Sequence, residues 1–243
     1  MVYRKARRMR KLAAMGAAAF CTVALTACPR PVRAPETAPT PAALPGPSDL
    51  RGAAPYQLDA DASEVHILVY RAGPLARLGH NHVMTPRTLT GRAWLHEDFT
   101  RSGFELSFPV ADLVVDDPAA RIAAGADFDS EITQADRQAT QANMLRSNVL
   151  DAQHHPVITL RSVRVSGSKE DAQLTTLVTI RDASREIVIP AKLTVQNDRI
   201  TASGAFDVLQ TQFGIEPFSV ALGALAVQDR LHVRFRVSAV RLE

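Results

Sequence analysis

Alternating apolar and polar positions dominate the chain from Tyr56 onwards. At least eight segments carry this two-residue period, which is typical of strands with one buried and one solvated face. The clearest segment is the last, where one face carries Leu231, Val233, Phe235, Val237 and Ala239. The other segments lie at 65–69, 89–95, 104–110, 157–165, 174–180, 187–195 and 200–208. Short polar connections at 181–184 and 196–198 are typical of antiparallel hairpins.

One segment has helical spacing instead. Apolar residues recur there every three or four positions, at Ala135, Ala139, Ala142, Leu145 and Val149. Thr133 with Asp136 three residues later forms a plausible capping box. The pattern predicts one α-helix over about 134–150. Residues 117–125 are predicted as a short helical turn, because Pro118 follows a possible cap and Gly125 closes the segment.

The fold class follows from these one-sided strands. Eight or more antiparallel strands must cover their apolar faces, either by pairing two sheets or by closing one sheet into a barrel. The two-residue period does not choose between these solutions. An outer-membrane barrel is disfavoured, because three Tyr and one Trp are too few for aromatic girdles and the last strand ends in Arg-Leu-Glu.

A basic and then apolar segment precedes the strands. Six Lys and Arg residues lie between positions 4 and 11, and an apolar run follows at 12–24. The sequence Leu25-Thr26-Ala27-Cys28 resembles a bacterial lipobox. It predicts a lipoprotein signal peptide over 1–27, with Cys28 as the lipid attachment site. The alternatives are an ordinary secretory signal or an uncleaved anchor, although roughly 13 to 16 apolar residues are short of the ~20 that span a bilayer.

This processing changes the charge of the remaining chain. Loss of the six basic residues of 1–27 takes the formal net charge from +3 to −3, which gives no support for nucleic-acid binding. The only cysteines are Cys21 and Cys28, so the domain contains no thiol for a disulfide or for catalysis. Residues 28–55 are rich in Pro and Ala and are predicted to be an extended tether. We expect residues 56–243 to form one domain.

Several weak motifs recur in a definite order along this domain. They are Tyr56-Gln57-Leu58-Asp59 with Ser63, Leu145-Arg146-Ser147, Leu150-Asp151, the stretch 155–160, Thr179-Ile180-Arg181-Asp182 and Gln212-Phe213-Gly214-Ile215. In this order they resemble the YceI-like family of periplasmic polyisoprenoid-binding proteins. The resemblance implies an all-β fold, an eight-stranded antiparallel lipocalin-like β-barrel. It also implies a non-enzymatic protein whose apolar lumen holds a long isoprenoid chain.

Together with the resemblance, the apolar faces of the strands predict a ligand and the residues that line its site. A long-chain apolar lipid of the polyisoprenoid or quinone type is the expected partner. Its expected lining residues are Val65, Ile67, Val69, Phe104, Leu106, Ile187, Ile189, Leu193, Phe206, Val233 and Phe235. With the lipobox, this predicts a protein on the periplasmic face of a bacterial membrane, the outer membrane being favoured over the inner.

The chain departs from the family in two places. Positions 139–143 lack the family's usual Arg-Asp pair and His, and Gly79-His80-Asn81-His82-Val83 replaces an apolar or aromatic segment. If this stretch is extended, His80 and His82 project from one face at a spacing that suits Zn²⁺ or Cu²⁺. A third ligand would have to come from His96, Glu97, His154 or His155. The pair could instead gate the lumen or only hydrogen-bond a loop, and a bound metal or other cofactor is not expected.

No catalytic residues are predicted. The chain has no Gly-x-Ser-x-Gly elbow and no Gly-rich phosphate loop. The acid pairs Asp116-Asp117 and Asp127/Asp129 are typical of caps and turns. The leading hypothesis is therefore a lipid-anchored binding protein. Its alternatives are a metal-binding or redox accessory protein that uses His80 and His82, and a protein-interaction module with a solid core; the oligomeric state stays open.

Overall fold

The computed structural model describes residues 50–242, and most of them lie in strands. In chain order the elements are β1 Ala53–Ala72, β2 His82–Pro86, β3 Thr90–His96, β4 Gly103–Pro109, β5 Leu113–Val115, α1 Pro118–Ala124, α2 Gln134–Met144, β6 Val157–Gly167, β7 Ala172–Ile180, β8 Ala183–Gln196, β9 Arg199–Leu209, β10 Ser219–Val220 and β11 Leu225–Arg241. Short 3₁₀ turns join several of them.

Eight of the strands form a closed antiparallel barrel in the order β1-β3-β4-β6-β7-β8-β9-β11. The barrel closes where β11 pairs with β1, from Tyr56 opposite Arg241 to Ala72 opposite Ala226. Register shifts interrupt this long pair between Asp59 and Glu64, as bulges do where a strand must bend. Each of the eight alternating segments lies in one barrel strand, so the predicted fold class is confirmed.

Two short strands extend the sheet at one end of the barrel. The first residues of β1 pair with β3, whereas Ile67, Leu68 and Val69 pair with β2, which in turn pairs with β5. The sequence pattern did not predict β2, β5 or β10. Strand β1 begins at Ala53, three residues before the predicted domain boundary. The predicted signal peptide, Cys28 and the tether up to residue 49 lie outside the described residues.

The helix prediction needs two corrections. Helix α2 begins as predicted, with the reciprocal capping box of Thr133 and Asp136, but it ends at Met144 instead of about 150. The chain then turns, since the Leu150 N–H donates to the Met144 carbonyl. There are also two α-helices and not one. The predicted helical turn at 117–125 is the helix α1, whose first N–H groups are capped by the Asp117 carboxylate.

Neighbouring residues of β1 face two different cores. Val69 packs into the barrel interior, whereas Leu68 lies outside the barrel in a cluster with Val83 and Phe128. Helix α1 covers this outer cluster. None of the helices within residues 50–242 has the length and apolarity that crossing a bilayer requires.

Candidate ligand-binding site

The interior of the barrel contains a cavity with a volume of about 340 Å³. This is within the usual size range of small-molecule pockets. Ten of the eleven residues predicted to line it do so: Val65, Ile67, Val69, Phe104, Leu106, Ile189, Leu193, Phe206, Val233 and Phe235. The eleventh, Ile187, packs against core residues beside the cavity and is not part of its wall.

Small side chains leave part of this space open. Ala93, Ala202 and Ala239 line the cavity beside much larger residues such as Phe206 and Phe235, whose rings pack edge to face. Because a strand places alternate residues on one face, each alanine brings the wall back towards the backbone. The small residues therefore explain why the interior is not filled, as it is in barrels whose inward side chains are all large.

Polar residues contribute to the cavity wall in two places. Arg92, Ser102 and Glu105 lie on the β3–β4 hairpin, and Arg92 pairs with Glu105 at 3.0 Å. At the end of the barrel covered by α2, the wall includes His82, Thr140, Asn143 and Gln210. The rest of the wall is almost entirely apolar, which suits an apolar chain with few polar atoms.

His82 reaches the wall because of its strand register. It lies opposite Val69, and Met84 lies opposite Ile67, so these side chains share the inner face. The His82 Nδ1 atom is 2.7 Å from Asp116 Oδ2. Asp116 is fully buried, and its other oxygen accepts hydrogen bonds from the Val83 N–H at 2.9 Å and from Arg121 at 2.8 Å.

These partners hold Asp116 in its charged form. Burial raises the pKa of the carboxyl, but the hydrogen bonds from His82, Val83 and Arg121 outweigh it and lower the pKa below its ordinary value of 3.8. The backbone of Asp116 is in the left-handed region, with a φ of 55°, which Asp tolerates better than most residues. The side chain is thus the hub of a buried polar network and not a simple turn residue.

Arg121 and Asn81 complete this network. Four hydrogen bonds of the Arg121 guanidinium go to the carbonyl of Asn81, the carboxylate of Asp116 and two oxygens of Ser130. Asn81 is also buried, and its amide bridges the Arg71 N–H and the Asp127 carbonyl. Sequence reasoning missed all three of Asn81, Asp116 and Arg121 as site residues. A signal was present in the two adjacent acids, of which only Asp117 caps a helix.

The two predicted metal ligands differ in their surroundings. His80 Nδ1 is 3.4 Å from the Ser130 hydroxyl, and its ring lies 6.4 Å from that of His82. Three of the four candidate third ligands, His96, His154 and His155, have other partners. His96 accepts a hydrogen bond from the Asp98 N–H, and His154 pairs with Asp151. Within residues 50–242, no three His, Cys, Asp or Glu side chains are grouped as a metal site requires.

The closed antiparallel barrel with an apolar lumen defines the class of lipocalin-like barrels. A family model described as the YceI-like domain matches residues 56–239. The chain therefore belongs to the YceI-like family, as its ordered motifs indicated. No curated protein matches the chain.

Solved structures support the same fold. The crystal structure of Burkholderia cenocepacia BcnA is 12% identical, with a TM-score of 0.57, and the match covers 75% of this chain and 99% of that one. A polyisoprenoid-binding domain from Saccharophagus degradans, implicated in plant cell wall breakdown, is 11% identical with a TM-score of 0.52. That match covers 77% of this chain and 98% of the other. At such low identity these likenesses concern the fold alone.

Proposed function

We propose that this protein is a lipid-anchored periplasmic binding protein that holds a long apolar molecule, of the polyisoprenoid or quinone type, in its barrel. The observation that carries the proposal is the interior cavity, whose wall is formed mostly by apolar side chains from the eight barrel strands. Enclosing an apolar chain there removes its surface from water, at roughly 25 cal/mol per Å². The family and the polyisoprenoid-binding domain of similar fold favour the same class of ligand.

The cavity also weighs against the two other functions. A protein-interaction module with a solid core would have no use for an interior space of about 340 Å³. A metal accessory protein would need a third ligand beside His80 and His82, which residues 50–242 do not supply. We propose a binding function and no catalytic step, in line with the binding-protein family to which the chain belongs.

The first experiment identifies the ligand. Native mass spectrometry of the full chain, extracted from its own membrane, should show a protein species with one bound apolar molecule. Dissociation of that species should release a lipid with a long unbranched or isoprenoid chain. A protein that is free of lipid, and that binds none when long-chain lipids are added, would refute the binding function.

The membrane location rests on the N-terminal sequence and has its own test. If Cys28 carries a lipid, Cys28→Ser should move the protein from the membrane to the periplasmic fraction. Cys21→Ser is the matched control, because Cys21 belongs to the predicted signal peptide and its loss should leave the anchor in place. A Cys28→Ser protein that resists a carbonate wash would disprove the lipoprotein assignment.

A further inference from the structure

The imidazole of His82 is a polar group built into an otherwise apolar wall. Its position opposite Val69 places it on the inner face of the barrel. About 14% of the side chain is accessible. Within the described residues, only Nδ1 of the ring has a hydrogen-bond partner, and Nε2 has none. The cavity wall therefore includes the His82 ring, whose Nε2 atom has no hydrogen-bond partner among the described residues.

The hydrogen bond to Asp116 determines what this nitrogen can do. An ionised carboxylate only accepts hydrogen bonds, so at 2.7 Å the Nδ1 atom must be the donor. In a neutral imidazole the other nitrogen then carries a lone pair and accepts. A carboxylate partner fixes the tautomer and the orientation of a histidine in this way. In its neutral form the ring therefore has its acceptor at Nε2, on a side chain that lines the cavity.

The neighbouring charges argue against an anionic ligand at this point. Arg121 is the closest guanidinium to the dyad, and four of its hydrogen bonds already go to protein oxygens. Asp116 itself contributes a negative charge beside His82. The other polar residues at this end of the wall, Thr140, Asn143 and Gln210, are neutral. Arg121 is therefore not free to bind a phosphate or carboxylate at this point.

We propose that His82 Nε2 accepts a hydrogen bond from a hydroxyl group at the end of the bound chain, so that the protein selects long-chain alcohols or phenols over ligands with only acceptor atoms. Thr140 and Asn143 line the same cavity and are the neighbouring polar side chains on α2. This inference rests on the proposed binding function and adds the chemistry of the ligand's polar end. It separates a prenol or a quinol, which donate, from a quinone or an ether, which do not.

A pair of ligands that differ only in this donor provides the test. The probes are a twenty-carbon prenyl alcohol and its methyl ether, and binding to the full chain is measured by displacement of an apolar fluorescent dye. Since a buried hydrogen bond is worth on the order of 1 kcal/mol, the alcohol should bind about fivefold more tightly than the ether. A carboxylic acid with the same chain should gain no advantage over the alcohol.

His82→Phe keeps a ring of similar size in the apolar wall but removes the acceptor. It should reduce the preference for the alcohol to less than about twofold, whereas the matched variant His80→Phe, two residues away and outside the wall, should retain it. The fold of each variant is checked by the fluorescence of Trp94, the single and buried tryptophan. If His82→Phe does not fold, the comparison of alcohol and ether on the unmodified chain decides alone.

The outcomes separate this inference from the function on which it rests. Equal binding of alcohol and ether by the unmodified chain, tighter binding of the acid, or a preference that persists in His82→Phe would each overturn the role of His82. In those cases the lumen would still be a lipid site. Failure of all three probes to displace the dye would instead refute the binding function itself.

Discussion

The buried carboxylate of Asp116 allows a sharp test of the network behind the cavity wall. Asp116→Asn keeps the shape of the side chain but removes its charge. It leaves the positive charge of Arg121, whose side chain is 8% accessible, without a counter-charge. Asp116 now accepts hydrogen bonds from three donors, His82, Val83 and Arg121. In the Asn variant the side-chain NH₂ group would face at least one of these donors and could not accept its hydrogen bond. Asn tolerates the left-handed backbone as Asp does, so the substitution adds no backbone strain.

The expected cost follows from this geometry. Removing one partner of a buried ion pair typically lowers the free energy of unfolding by roughly 3–5 kcal/mol, because the other charge remains buried and unpaired. Arg121 keeps its bonds to Asn81 and Ser130, so we expect the lower end, about 3 kcal/mol in the free energy of unfolding. The adjacent Asp117→Asn is the matched control. Asn and Asp cap helices about equally well, so it should cost less than about 1 kcal/mol.

Urea unfolding followed by Trp94 fluorescence measures both variants, with the slope of the transition compared to that of the unmodified protein. A loss below about 1 kcal/mol for Asp116→Asn, or one equal to that of the control, would refute the reasoning. Either result would mean that the network adapts to the loss of the charge. The carboxylate would then not be the group that fixes the His82 ring.

The remaining predictions use the same protein. Because the folded pKa of Asp116 is below its ordinary value of 3.8, its contribution to the free energy of unfolding should be complete above about pH 5 and should be lost as the pH falls through the folded pKa. In Asp116→Asn, the loss of stability on acidification should be smaller, because this contribution is missing. Ala202→Trp should exclude lipid at little cost in stability because Ala202 lines the cavity, whereas Ala191→Trp in the packed core should cost about 1 to 3 kcal/mol; equal stability losses would contradict a hollow barrel. Calorimetric titration with Zn²⁺ or Cu²⁺ at pH 7.5 should show no saturable site tighter than ~10 μM. If a tighter site is found, and if it disappears in His80→Ala and in His82→Ala, the metal hypothesis would be supported instead.

The strands could be predicted from the sequence because their period is a local property. Val233 and Phe235 share one face of their strand whatever their neighbours are, since alternate residues of a strand share a face, and the structure shows that this face lines the cavity. The end of α2 could not be predicted in this way. Leu145 and Val149 continue the helical spacing, but they owe their burial to a turn that packs against the barrel. Tertiary packing produced the apolar pattern there, and the pattern wrongly predicted about six more residues of helix, 145–150.

The polar network escaped sequence analysis because its members meet through strand register. His82 and Asp116 are 34 residues apart, and they come together because Met84 of β2 lies opposite Val115 of β5. Strand β5 has only three residues, and the sequence His-Val-Met-Thr-Pro of β2 does not alternate clearly between apolar and polar positions. Asp116 was interpreted with Asp117 as a turn, which accounts for the second acid but not the first. The remaining signal was His82: once residues 82–86 are known to form a strand, its side chain can be placed on the lumen face.

The pairing of the first barrel strand with the last also has a consequence for the timing of biogenesis. Tyr56 lies opposite Arg241, so the two sides of the closing seam are 185 positions apart in the chain. Contacts over such a separation form late, because a long loop must be closed before they are gained. Until β11 has been synthesised, the other seven strands can form at most an open sheet with two unpaired edges. The cavity therefore has no precursor in the nascent chain, and a ligand is enclosed only in the final folding step or enters the finished barrel.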